Sequence, residues 1–261
     1  MHVQKLFDLS GRTALVTGGG RGIGRHIAIG LAEAGADVLI ASRKLANCEE
    51  TAQAVEKLGR KARAIRVDLG ISEEVDALAD RVLEETDRLH VLVNNAGVIW
   101  GAPTLEFPLE AWDRVFNVNV RGLWRLSQRV ACHMKDAGGG SIIHISSISA
   151  FRGAAEDDEP AIAYNASKGA VTTLTLDMAV KLARDGIRVN AIAPGPFNTD
   201  MMNHVRHDDE KLRQFHEQVP MRRSGGEDDI KGAAVFLASA ASAFVTGQTL
   251  VVDGGTLSVG A

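Results

Sequence analysis

The residues best able to do chemistry stand four apart in "AYNASKG", Ala163 to Gly169, where Tyr164 precedes Lys168. Tyr164 is the only tyrosine among 261 residues. On a helix, positions i and i+4 share one face about one turn apart. A cation held there favours the phenolate and lowers the phenol from its ordinary pKa of ~10. Such a tyrosine gives and takes protons near neutral pH. The pattern Y-x-x-x-K is loose, however, so the elements that position it must decide.

Those elements alternate. Short runs at 13–17, 37–42, 62–67, 90–95, 141–146, 188–193 and 249–253 predict strands. Helical patterns lie between them at 23–35, 45–58, 73–86, 110–135, 163–184 and 227–239. Several strand runs are apolar throughout, as expected when helices cover both faces of a parallel sheet. The reading is an α/β fold, a doubly wound parallel sheet of about seven strands, with residues 1–261 as one domain. Two polar stretches, 149–160 with its "AEDDEP" and 194–226 with three prolines, read as irregular segments that border a site.

Composition excludes several classes. A net charge of −4 and pI near 6.1 give no reason to expect nucleic acid. Two cysteines, Cys48 and Cys132, are too few for a disulfide framework, so a reducing cytoplasm is expected. No run approaches the ~18 apolar residues of a membrane span, and "MHVQKLFDLSGRTALVTGG" has no leader pattern. The eight histidines show no metal spacing, so no metal is expected. Arg114, Arg121, Arg125 and Arg129 form a partial stripe that reads as a solvated or subunit-contact face.

The first predicted strand ends in "TGGGRGIG", Thr17 to Gly24. Glycines there let backbone amides approach a diphosphate seated on a helix N-terminus. The spacing of Gly18, Gly22 and Gly24 is G-x-x-x-G-x-G, not the usual G-x-G-x-x-G. The second strand ends in Ala41, Ser42, Arg43 and Lys44, without the acid that takes a ribose 2′-hydroxyl in NAD sites. Arg43 suits a 2′-phosphate, helped by Ser42 and Arg21, which favours NADP(H) over NAD(H). A solvated Arg43 and Lys44 at a helix start is the plainer alternative.

"NNAG" (94–97), "NVNVRG" (117–122), "ISSIS" (145–149), "YNASK" (164–168) and "PGPFNT" (194–199) follow in order. With the glycine loop, this set resembles the short-chain dehydrogenase/reductase family over nearly the whole chain. The resemblance implies a single Rossmann-type domain that moves hydride between a nicotinamide and a ketone or secondary alcohol. Tyr164 would be the general acid/base, and Lys168 would hold the nicotinamide ribose and depress the tyrosine. Ser147 would bind the substrate oxygen, with Ser146 as the alternative, and Asn119 would hold a relay water, with Asn117 as the alternative. The cofactor would further meet Thr17, Gly18, Arg21, Gly22, Ile23, Gly24, Ser42, Arg43, Asp68, Leu69, Asn95, Ala96, Gly97, Pro194, Gly195 and Thr199. Asn94 would brace the strand carrying the cofactor. The resemblance also implies a homotetramer or homodimer.

The substrate is less constrained. Ser147 and Tyr164 are 17 apart (164 − 147), longer than in compact family members, and the extra residues include Glu156, Asp157, Asp158 and Glu159. Facing the pocket, these acids would disfavour anionic substrates; facing solvent, they would have no such effect. The texture of the chain puts a 3-oxoacyl compound slightly ahead of a sugar acid or polyol, as in gluconate 5-dehydrogenase-like members. A non-catalytic dinucleotide sensor is the alternative class, disfavoured because Ser147, Tyr164 and Lys168 are all present.

Overall fold

The computed structural model describes residues 1–198 and 209–259. Seven strands form one parallel sheet: β1 (Thr13–Thr17), β2 (Asp37–Ser42), β3 (Ala62–Arg66), β4 (Val91–Asn94), β5 (Gly140–Ile145), β6 (Ile187–Pro194) and β7 (Thr249–Val252). Their spatial order is β3-β2-β1-β4-β5-β6-β7, so the winding reverses between β1 and β4. Each strand lies within one residue of its predicted ends. In register, Thr17 pairs with Ala41 on one side and Asn94 on the other, so three strand ends meet at one carboxyl edge.

The apolar runs are apolar because both faces are covered. Ala14, Val16, Val38, Ile40, Val91 and Val93 pack beneath α2 (Gly22–Glu33), α3 (Leu45–Lys57) and a late helix, Glu227–Ala238. Leu15, Leu39, Leu92 and Ile142 face the other way, against α4 (Ser72–Glu85), a helix Leu123–Asp136 and a helix Ile162–Leu182. Each fully buried Leu or Ile contributes roughly 1.5–3 kcal/mol of transfer free energy. The two edge strands lack this double cover, and β7 keeps Leu250 and Val251 partly exposed.

Two expectations from the sequence need correction. The single helix predicted over 110–135 is α5 (Leu109–Phe116), a π-helical turn (Asn117–Gly122) and α6 (Leu123–Asp136). A side chain at Gly122 would run into the Leu69 carbonyl oxygen, so the wide turn sits where the helix must press on the loop after β3. The stretch 194–226, read as irregular, contains a further helix, Asp209–Glu217, laced by Arg213 to Glu210 and Glu217. The helix that carries Tyr164 is Ile162–Leu182, named α7 below.

Two of the four arginines of the predicted stripe, Arg125 and Arg129 on α6, pair within the chain. Arg125 forms a forked pair with Asp76 of α4 at 2.7 and 2.9 Å, and Arg129 pairs with Asp80. Among the described residues, no helix is long and apolar enough to cross a membrane.

Two glycine substitutions test this packing in opposite directions. Gly122→Ala should lower stability by about 1–3 kcal/mol, because Leu69 has to give way. Gly232→Ala, on a helix surface with nothing within 4 Å of the added carbon, should raise it by about 0.5–1 kcal/mol. Urea midpoints of the two variants check both signs.

Candidate active site

Lys168 is the fixed point of the site. It is only 4% exposed, and its Nζ donates to the carbonyl oxygen of Ile145, the last residue of β5, at 2.7 Å. The same ammonium lies 5.5 Å from the centroid of the Tyr164 ring. Helix α7 is thereby docked on the carboxyl end of β5, and Tyr164 and Lys168 share a face as their spacing predicted.

The extended backbone beyond β5 sends successive serines to opposite sides. Ser146 Oγ donates to the Lys168 carbonyl at 3.1 Å and lies 2.9 Å from Thr172 Oγ1, so it is engaged with α7. Ser147 turns the other way, toward the Tyr164 phenol. Asn119, within the π-helical turn, accepts from Val98 N at 2.8 Å and donates to Val98 O at 3.0 Å and Ser167 Oγ at 2.9 Å. Gly97 brings it next to the lysine: a carbon added there would lie 3.4 Å from Asn119 Oδ1 and 3.6 Å from Lys168 Nζ. Asn117 instead lines an outer cleft with Trp112, Phe116 and Trp124.

The electrostatics depart from the sequence-based expectation. Burial pushes the Tyr164 phenol up to about 12; the Ser147 hydrogen bond opposes this, and the charge of Glu159 adds to it. Burial also pushes Lys168 down to about 8. Removal from water thus raises the phenol, the opposite direction to the lowering that its spacing to Lys168 predicts.

The glycine loop lies where the sheet order reverses, the place where such sheets bind ligands. Thr17 Oγ1 accepts from Asn95 N at 3.1 Å and Ala96 N at 3.2 Å. Asn95 Nδ2 donates to the carbonyls of Thr17 at 2.9 Å and Gly18 at 3.2 Å. A side chain on Gly18, which has φ of 63°, or on Gly24 would collide with that carboxamide. Gly22 and Ile23 open α2, and Arg21 before them provides no side-chain cap. The first amides of α2 thus meet a smooth, side-chain-free cradle that fits a diphosphate.

Most of the other predicted cofactor residues stand at or just past the ends of β2, β3 and β6. Arg43 is exposed just past β2, while Ser42 Oγ turns to Lys44 O at 3.2 Å and Cys48 Sγ at 3.0 Å. Asp68 Oδ1 accepts from Gly70 N at 2.9 Å, closing its own turn, and Leu69 is buried. Pro194 ends β6, and Gly195 N donates to Val252 O at 2.9 Å. Thr199 lies outside the described residues.

Sequence reasoning missed two parts of this region. His144 is fully buried below the site, 2.9 Å from Thr175 Oγ1, and Ser127 joins it to Asn94. Ser149 also links Ser147 to Glu159. Only the unusual Ser147–Tyr164 spacing marked the second feature in the sequence.

A family model described as Enoyl-(Acyl carrier protein) reductase matches residues 18–256. The chain is 43% identical over 258 residues to a 2-dehydro-3-deoxy-D-gluconate 5-dehydrogenase of Bacillus subtilis, covering 98% of this chain and 99% of that one. It is 37% identical over 250 residues to a rhamnolipids biosynthesis 3-oxoacyl-[acyl-carrier-protein] reductase of Pseudomonas aeruginosa, covering 95% and 97%. A solved gluconate 5-dehydrogenase of Burkholderia cenocepacia, in complex with NADP and tartrate, superposes with a TM-score of 0.92 at 39% identity, covering 99% of this chain and 100% of that one. The fold and these matches make the chain a member of the short-chain dehydrogenase/reductase family. It is an oxidoreductase acting on alcohol and carbonyl groups.

The buried imidazole has a measurable cost in acid. Burial, and then the Lys168 charge, push His144 down to about 3, and His90 is pushed down to about 4. Below the ordinary histidine value of ~6.5, the unfolded chain binds protons that the native state refuses. Stability should therefore fall as pH drops from about 6.5 towards 4. His144→Asn should flatten that slope, read from urea unfolding at a series of pH values.

Proposed function

We propose that this enzyme uses NADP(H) to interconvert a secondary alcohol and a ketone on a hydroxylated sugar acid, in the manner of gluconate 5-dehydrogenases. The observation that carries the reading is the convergence of the Tyr164 phenol, the Ser147 hydroxyl and the Lys168 ammonium beside the glycine-lined crevice. Two of the relatives named above act on gluconates by their names, which puts the sugar acid ahead of the 3-oxoacyl compound favoured from sequence.

The amides of Gly22 and Ile23 would hold the diphosphate, Arg43 and Arg21 the 2′-phosphate, and Asp68 and Leu69 would flank the adenine. Ala96, Gly97, Pro194 and Gly195 would form the wall near the nicotinamide, and Thr199 would complete it. The bound nicotinamide supplies or accepts the hydride, chemistry that side chains lack. The Ser147 and Tyr164 hydroxyls are neighbours, which suits an oxygen gaining negative charge once Ser147 turns its proton from Ser149 to the substrate. Tyr164 gives that oxygen a proton in reduction and takes it back in oxidation, and Asn119, tied to Val98 and Ser167, would hold the relay water beside the lysine. Burial holds Lys168 down to about 8, so the cation beside the phenol is lost as pH rises through that value.

One kinetic series tests this. Oxidation needs the Tyr164 phenol to have lost its proton, which burial opposes, so the oxidation rate should climb as pH is raised towards the alkaline range, while reduction should fall. Tyr164→Phe should lose at least ~10²-fold in kcat with NADPH binding retained, as read by fluorescence titration. Arg43→Ala should raise the KM for NADPH about tenfold or more and leave that for NADH in place. A wild-type preference for NADH would overturn the reading of the β2 end, and unchanged turnover in Tyr164→Phe would overturn the mechanism.

We infer further that one domain of this kind assembles as a homotetramer in the cytoplasm. The cleft of about 960 Å³ between α5 and α7 exposes Trp112, Phe116, Trp124 and Leu174, and Val180 is 80% exposed further along α7. A second apolar face carries Phe244, Leu250 and Val251. Two separate faces suit the two kinds of contact in a symmetric tetramer. Val180→Glu and Phe244→Glu should each reduce the assembly to dimers by light scattering, and a monomeric wild type would refute it.

A further inference from the structure

Ser147, the neighbour of the Tyr164 phenol, starts a hydrogen-bonded chain of its own. Ser147 Oγ donates to Ser149 Oγ at 3.2 Å and accepts from Ser149 N at 3.1 Å. Ser149 Oγ in turn donates to Glu159 Oε1 at 2.9 Å. An ionised carboxylate only accepts, so the run of hydroxyls has one direction and its negative end is Glu159.

Glu159 belongs to the acidic stretch 156–159, but its neighbours are placed differently. Glu156 Oε2 accepts from Thr104 N at 2.9 Å, and the Pro160 carbonyl accepts from Ala102 N at 2.9 Å. These bonds tie the stretch at two points to the loop that follows β4. Asp157 and Asp158 are exposed, whereas Glu159 is half-buried and turned inward to the serines. Its charge is near enough to oppose ionisation of the Tyr164 phenol, whose ring centroid lies 5.5 Å from Lys168 Nζ.

We propose that Glu159 is a specificity-determining residue, a fixed negative charge at the reacting end of the substrate crevice that selects ketones flanked by neutral, hydroxylated carbons. A carboxylate there accepts hydrogen bonds from substrate hydroxyls and repels a substrate carboxylate close to the reacting carbonyl. A sugar acid reacting near its hydroxymethyl end meets both conditions, since its own carboxylate lies at the far end of the carbon chain. The inference rests on the oxidoreductase reading above and narrows its substrate class.

Acetoacetate and ethyl acetoacetate share a carbon skeleton around the ketone and differ in charge beside it. The test compares wild type, Glu159→Gln and Glu159→Ala with these two probes and with 5-ketogluconate, using NADPH. A probe that is not reduced is measured as a competitive inhibitor of 5-ketogluconate reduction. Wild type should favour the ester over the acid, and Glu159→Gln should shrink that ratio about tenfold or more. The Gln variant still accepts from Ser149, so loss of that bond is not the cause; its alcohol-oxidation pH profile should also move to lower pH. An unchanged ratio, or equal losses on both probes, overturns the inference while leaving the reaction class in place. Absence of turnover of every ketone with NADPH and NADH in the wild type overturns the functional reading itself.

Discussion

A single buried cation organises this site. Taking the Lys168 ammonium out of water costs several kcal/mol, and the structure offsets that cost with the Ile145 carbonyl and the face of the Tyr164 ring. Both partners are positional. The carbonyl marks the end of β5, and the ring lies one helical turn earlier on α7, so the cation cannot be satisfied unless strand and helix are docked correctly. The rest follows from that docking: Ser146 and Thr172 join the β5 end to α7, and Ser167 carries the contact on to Asn119.

The surroundings act on three titratable groups in the same sense. The phenol is held up, while the lysine and the imidazole beneath it are held down. Each is biased towards its neutral form, the signature of a weakly polar environment. Charge that develops on a substrate oxygen in such a place is felt strongly, because little water is present to screen it. The hydroxyls of Ser147 and Tyr164 are therefore more effective there than they would be at the surface.

The strands were legible because a strand buried on both faces writes itself as an unbroken apolar run, as in the centres of "TALVT" and "DVLIAS". The Tyr164–Lys168 pair was legible because helical spacing is fixed locally. The π-helical turn was not, since the contact that shapes it is between Gly122 and the Leu69 carbonyl, more than fifty residues earlier. The direction of the phenol's shift was misread for a related reason: spacing reveals a neighbour, but burial depends on everything else that packs around the ring. Ser146 and Ser147 could be separated only once the backbone beyond β5 was seen to be extended. Within the acidic run, composition gave all four residues equal standing, and only tertiary contacts singled out Glu159.

Asn95 has a consequence beyond its own bonds. Its side chain spans the gap between β4 and the loop after β1, acting as a clasp across the place where the sheet changes direction. If the glycine loop holds the phosphates as proposed, it is braced by these bonds before anything enters, and less chain entropy would be lost on binding. Discrimination between dinucleotides then depends on which atoms fit a mould of fixed width. A small change at the end of β2 can thus retune cofactor choice without disturbing the machinery on the other side of the crevice.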